Sequence, residues 1–173
     1  VEGIAGLNCI LENYTMNADA DMGAPLQLAP DVLIETVALD DIPDIVEIDL
    51  RVTGEKKADF WYGCYARQTN DPKCQFLVAR RDGEVAGFTI GAIQAWEFGS
   101  RPCGWVEVIT VSPSHRNAHV ATRLFESLKT YFQNNDIDSV RTMIHIDDQR
   151  LMSFFRMQGM AAGPYIELEM HVD

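Results

Sequence analysis

The sequence is short of positive charge. Its 173 residues hold 14 lysines and arginines against 26 aspartates and glutamates, for a formal net charge of −12. A nucleic-acid partner is not expected, because phosphate binding needs a basic face. The deficit is uneven: residues 1–60 carry 13 acidic and 3 basic side chains, and residues 61–173 carry 13 and 11. That acidic third suits an amine-bearing partner, and equally a plain solubilising surface. No apolar run is long enough to span a bilayer, so no membrane association is expected. No basic stretch leads into an apolar one near residue 1, so no signal peptide is expected. The cysteines, Cys9, Cys64, Cys74 and Cys103, form no C-x-x-C pair, and no Cys/His cluster has zinc-ligand spacing. No metal is expected, and buried free thiols in a cytoplasmic protein are the simplest reading.

What is present is a globular composition, 47% hydrophobic and 23% charged, in a length that makes one domain. Residues 1–31 mix Gly, Pro, Asp and Ala without sustained periodicity and read as an arm or linker; residues 32–173 read as the folded domain. Val32 to Val37 is an apolar strand. Asp40 or Asp41 then caps a helix that buries Ile42, Ile45 and Val46, with Pro43 in its first turn and Thr53-Gly54 at its end. A second helix is expected over Lys57 to Arg67. Apolar runs Gln75 to Arg81 and Glu84 to Ala95 flank Asp82-Gly83, a strong hairpin signal. After a loop, Trp105 to Val111 is a β-branched strand. A helix over 118–134 follows, with Val120, Leu124, Leu128 and Phe132 on one stripe. Ser139 to Ile146 is a strand, Asp147-Asp148 caps a helix over Gln149 to Met157 that Gly159 stops, and Tyr165 to Val172 is a last strand. The order β-α-α-β-β-β-α-β-α-β implies an α/β fold, with a mixed, mostly antiparallel central sheet and helices on both faces.

The most informative stretch is WVEVITVSPSHRNAHVATRLF, residues 105–125. A strand that stops at Ser112-Pro113, turns, and feeds a helix start makes an anion site, because the first helical N–H groups lack internal partners and the dipole favours negative charge there. Arg116 adds a fixed positive charge at the mouth.

This stretch resembles the acyl-CoA-binding motif of the GNAT superfamily of N-acyltransferases, a strand followed by V-x-P-x-x-[RQ]-x-x-G-x-[GA] and a helix. Val111, Pro113, Arg116 and Ala121 match. His119 stands where the family usually has glycine; its imidazole either crowds a pyrophosphate or contributes a donor to it. The family's closing pattern N-x-x-A-x-x-F-Y-x-x-x-G-F is met by Phe154, Gly159 and an apolar Met160. It is not met by Asp148, Leu151 and Phe155, which stand at its Asn, Ala and Tyr. The element order from Val32 onward is the one the family shows.

The resemblance implies transfer of an acetyl group from acetyl-CoA to a primary amine, small or peptidic, by direct attack in a ternary complex. It implies a pyrophosphate cradle from Arg116, Asn117, Ala118, His119, Val120, Ala121 and Thr122. It also implies that the sheet opens beside the strand, so that Ile109, Thr110 and Val111 pair with the pantetheine arm, with Asp148 and Phe155 on the cofactor side. A general base is sought in Glu107, a carboxylate on an otherwise apolar strand, or in His145 on the next strand, with Glu97 a third candidate. The acid is either absent, since Phe155 replaces the family's tyrosine, or another group such as Tyr165. Trp96 and Glu97 are candidate acceptor walls, beside an acidic and aromatic surface that includes Asp44, Glu47, Asp49 and Trp61. The rival reading of the same residues is a catalytically weak acyl-CoA-binding sensor or interaction module. Homodimerisation through the last strand or the arm is plausible.

Overall fold

The computed structural model describes residues 32–95, 99, 101–116 and 119–171. The arm at 1–31, and with it Cys9, lies outside the described residues. The first strand, β1, is Leu33–Thr36. Two helices follow, α1 (Ile42–Thr53) and α2 (Ala58–Asn70). Strands β2 (Cys74–Arg81), β3 (Glu84–Gln94) and β4 (Cys103–Val111) come next. The chain ends its regular structure with α3 (Val120–Asn134), β5 (Val140–Arg141) and α4 (Gln149–Met157). The sheet order is β1-β2-β3-β4-β5, antiparallel except for the parallel pair β4–β5.

Alternation along β2 explains the layering. Phe76 and Val78 enter a cluster with Ile42, Ile45 and Trp61 from α1 and α2. Leu77 and Ala79 point the other way, into a cluster with Leu124, Leu128 and Phe155 from α3 and α4. The hairpin turn is as the Asp-Gly pair implies, with Asp82 at φ 53° and Gly83 at φ 83°, the left-handed pair that a two-residue hairpin needs. Gly54 at φ 79° ends α1. Helix α3 lies close on the sheet because glycines leave it room: a Cβ on Gly104 would stand 2.5 Å from the Phe132 ring, and one on Gly91 2.9 Å from Leu128.

Two buried carboxylates tie α1 to its surroundings. Asp49 accepts the Trp61 indole N–H at 2.9 Å and pairs with Lys57 at 3.3 Å, joining α1 to α2. Asp41 accepts the Ala38 N–H at 2.8 Å and pairs with Arg80, which also reaches Glu35.

Three elements differ from expectation. Helix α2 runs to Asn70, a turn beyond Arg67. The strand expected over 139–146 keeps only Val140 and Arg141. The last strand, expected over 165–172, does not form among the described residues; Ile166, Leu168 and Met170 are exposed instead. The cause lies in β4. Ile90 pairs with Val108 while Gly91 pairs with Val106, so Glu107 is the extra residue of a bulge. A bulge bends its strand and increases local twist, and β5 parts from β4 just before it, after Trp105↔Arg141. With β5 cut short, the C-terminal segment has little edge to pair with.

Candidate active site

The bulge also decides which way Glu107 faces. Val106 belongs to the α3–α4 cluster and Val108 packs on the α1–α2 cluster. Glu107 turns to the α1–α2 side as well, where Arg67, in the last turn of α2, takes both carboxylate oxygens, Nη1–Oε1 at 3.2 Å and Nη2–Oε2 closer still. The Glu107 side chain is 21% exposed and that of Arg67 43%. Arg67 carried no signal in the sequence, since nothing local links residues 40 positions apart.

Beyond the bulge, β4 continues to Val111 with β3 as its partner, and its β5-facing edge has no ladder from Glu107 onward among the described residues. Thr142 Oγ1 closes the fork by bonding Val106 O at 3.0 Å. Ile109, Thr110 and Val111 all lie on this stretch and are buried.

The turn then follows from its sequence. Ser112 N–H donates to Ala86 O at 2.8 Å, anchoring the turn to β3, and Pro113–His115 make one 3₁₀ turn. The Ser112 and Ser114 hydroxyls lie 2.9 Å apart, and the Ser114 hydroxyl lies 3.1 Å from His115 Nδ1. Arg116 leaves in an extended conformation. Asn117 and Ala118 lie outside the described residues. His119 takes the left-handed conformation, φ 56°, that glycine adopts freely. It is the N-cap of α3, and its side chain makes no capping bond. The N–H groups of Val120, Ala121 and Thr122 belong to the first turn, which has no internal acceptors. Arg123 Nη2 donates to Val32 O at 3.3 Å, so that cation serves the entry to β1.

The remaining expected residues scatter. His145 is 71% exposed, and no hydrogen bond or ion pair joins it to Glu107; its Nδ1 accepts the Asp147 N–H at 3.2 Å. Asp148 caps α4 by accepting Leu151 N–H at 2.9 Å. Phe155 is 2% exposed, edge-on to Phe125 and Phe154 in the core. The Tyr165 ring lies under the Arg141 guanidinium, 5.0 Å from it. Trp96 and Glu97 lie outside the described residues. Of the expected acceptor surface, Trp61 and Asp49 are structural and buried. Asp44 and Glu47 line a cavity of about 300 Å³ with Glu84 and His115. A cavity of about 340 Å³ between α3 and the chain after α4, walled by Phe125, Lys129 and Met160, touches none of the expected site residues.

Cys64, Cys74 and Cys103 are buried thiols that form no disulfide among the described residues. Burial pushes the Cys64 thiol up to about 11, against the lowering pull of Arg67 and with a further push from Glu107. A protonated thiol is a poor nucleophile. The unfolded thiol ionises near 9.0, so between that value and about 11 the folded state holds the extra proton. Stability therefore falls as pH rises through that window. Urea midpoints at about pH 8 and about pH 10.5 should converge in Cys64→Ala, relative to the unmodified protein, because the substitution removes this linkage.

The sheet, the fork between β4 and β5, and the turn into α3 make an α/β fold of the acetyltransferase kind. A sequence model of the acetyltransferase (GNAT) family matches residues 42–160, and the chain belongs to that family. Among curated protein sequences none matches it. Its fold is similar to that of the aminoglycoside acetyltransferase AAC(6')-Iy in complex with the bisubstrate analogue CoA-S-monomethyl-acetylneamine, with TM-score 0.71 and 15% identity over 82% of this chain and 99% of that one. It is similar to the aminoglycoside 6'-N-acetyltransferase AAC(6')-IG of Acinetobacter haemolyticus, with TM-score 0.68 and 16% identity over 82% and 99%. It is also similar to a ribosomal-protein-alanine N-acetyltransferase of Brucella melitensis biovar Abortus 2308, with TM-score 0.63 and 21% identity over 82% and 99%. At these identities the likeness is one of fold. Among the described residues no helix is long and apolar enough to cross a membrane, and no group of His, Cys, Asp and Glu is arranged to hold a metal ion.

Proposed function

We propose that this protein transfers an acetyl group from acetyl-CoA to a primary amine by direct attack in a ternary complex. The observation that carries this reading is the start of α3. It follows the Val111-Ser112-Pro113 turn, lacks a side-chain cap, and has Arg116 just ahead of it. An uncapped first turn beside a cation suits a pyrophosphate. Val120, Ala121 and Thr122 would supply N–H donors, and Arg116 a charge-assisted contact. The edge of β4 at Ile109, Thr110 and Val111 is the stretch that would pair with the pantetheine arm. Bound acetyl-CoA supplies an activated acetyl group. Glu107, on the same strand, would accept the proton of the attacking ammonium directly or through one water. The new C–N bond replaces the C–S bond, and the released thiolate takes its proton from solvent, since Phe155 has none to give.

Small amines are one candidate acceptor class, since Asp44, Glu47 and Glu84 line a groove on the α1 side, with Arg51 paired to Glu47. A peptide N-terminus is the other candidate. Buried free thiols suit a cytoplasmic protein. A second reading, an acyl-CoA sensor with weak turnover, is favoured by the buried Phe155, which has no proton to donate; it predicts binding without turnover.

Calorimetric titration with acetyl-CoA and with free CoA tests the proposal. Micromolar binding is expected, weakened about tenfold in Arg116→Ala through loss of one charge-assisted contact. His119→Gly should tighten binding, because it removes a Cβ beside the N–H groups and a left-handed non-glycine residue. Absence of binding to either ligand would sink both readings. Turnover is then read as free thiol release with neamine and with an alanine-terminated peptide.

A further inference from the structure

We propose that Arg67 is the positioning residue for Glu107, holding its carboxylate in one orientation for proton transfer. This deepens the general-base reading and rests on it. The argument starts from the bulge. An extra residue in a ladder has no facing partner to fix its side chain, so Glu107 needs another constraint. The Arg67 guanidinium supplies one by contacting both oxygens, a planar match that a lysine cannot reproduce. It is delivered from a well-anchored helix. Trp61, on the same helix, is buried against Phe76 and Phe88 and bonded to Asp49, and Cys64 is buried one turn before Arg67. Each carboxylate oxygen keeps further lone pairs for water or an amine.

Among the described residues, α2 brings Arg67 and Cys64 toward Glu107 and β2 brings Cys74. From β3 come the uncharged Ile90 and Gly91. On the β5 side Thr142 is uncharged, and Arg141 stacks on Tyr165. Arg67 is the cation that bonds the Glu107 carboxylate.

The test uses Arg67→Gln and Arg67→Lys, with Glu107→Gln to assign the Glu107 carboxyl carbon resonance. The first readout is that resonance at neutral pH. The second is kcat and KM with neamine as acceptor and acetyl-CoA saturating. Arg67→Gln should shift the Glu107 carboxyl resonance, since the paired guanidinium is lost. It should also lower kcat about tenfold with acetyl-CoA affinity unchanged, the scale of losing one oriented proton transfer. Arg67→Lys, which keeps the charge but not the fork, should still lower kcat. A wild-type kcat in Arg67→Gln or in Arg67→Lys overturns the proposal. Wild-type turnover in Glu107→Gln overturns instead the general-base reading beneath it, and the separate variants distinguish the two failures.

Discussion

Glu107→Gln is expected to lower kcat for an amine acceptor by about 10²- to 10⁴-fold, the range a positioned general base contributes. The amide keeps the shape of the carboxylate and can still accept one hydrogen bond from Arg67, so the bulge and the strand should survive. The lost ion pair is partly solvent-exposed, with 43% and 21% side-chain exposure, and pairs of that kind contribute about 1 kcal/mol or less. Affinity for acetyl-CoA should not change, because the proposed pyrophosphate cradle lies beyond Val111. The measurement is a paired one, single-turnover thiol release for rate and calorimetry for binding. A variant that loses rate and keeps affinity supports Glu107 as base. Equal loss of both would make it a structural residue of the site.

The largest expected effect on stability comes from a carboxylate far from the proposed chemistry. Asp49→Ala should destabilise the fold by about 3 kcal/mol, since truncating one partner of a buried polar pair strands the others. The Asp49 side chain is 6% exposed and accepts both the Trp61 indole N–H and the Lys57 ammonium. Without it the indole N–H is buried without an acceptor, at the point where α2 is pinned to α1. Urea denaturation followed by tryptophan fluorescence gives the value directly. Asp49→Asn, which keeps an acceptor oxygen, should recover much of the loss. A loss below about 1 kcal/mol in the alanine variant would mean that water reaches the indole and the bond is not a buried one. Because α2 also carries Arg67, the same substitution should blur the hold on Glu107.

The readings that came through unchanged all depend on local chemistry. Asp82-Gly83 forms the hairpin turn because both residues tolerate positive φ. Helix α4 spans Gln149–Met157 as expected because Asp148 caps it and Gly159, at φ 87°, follows its end. The Val111–Arg116 turn is legible because proline and the β-branched strand before it restrict the backbone within a few residues. These signals need no knowledge of what packs where.

The orientation of Glu107 was of another kind. Strand parity assigns a face only while the ladder is regular, and a single bulge residue reverses it. Its partner Arg67 sits on a different element, 40 positions away, and only packing of α2 on the sheet brings them together. His145 and Tyr165 looked chemically apt, but the early end of β5 sends one to solvent and leaves the other stacked under Arg141. Phe155 sits at a family tyrosine position by spacing, and the core claims it.

The sequence by itself determined the order of elements as far as α4, the hairpin, the ends of α1 and α4 and the turn that opens α3, because each is written in periodicity, caps and turn residues within a few positions. Only the tertiary structure decided that Glu107 faces α2, that Arg67 holds it, and that the described residues from Tyr165 to His171 find no strand partner. Those outcomes turn on one bulge and on contacts between distant segments, and no local pattern records either.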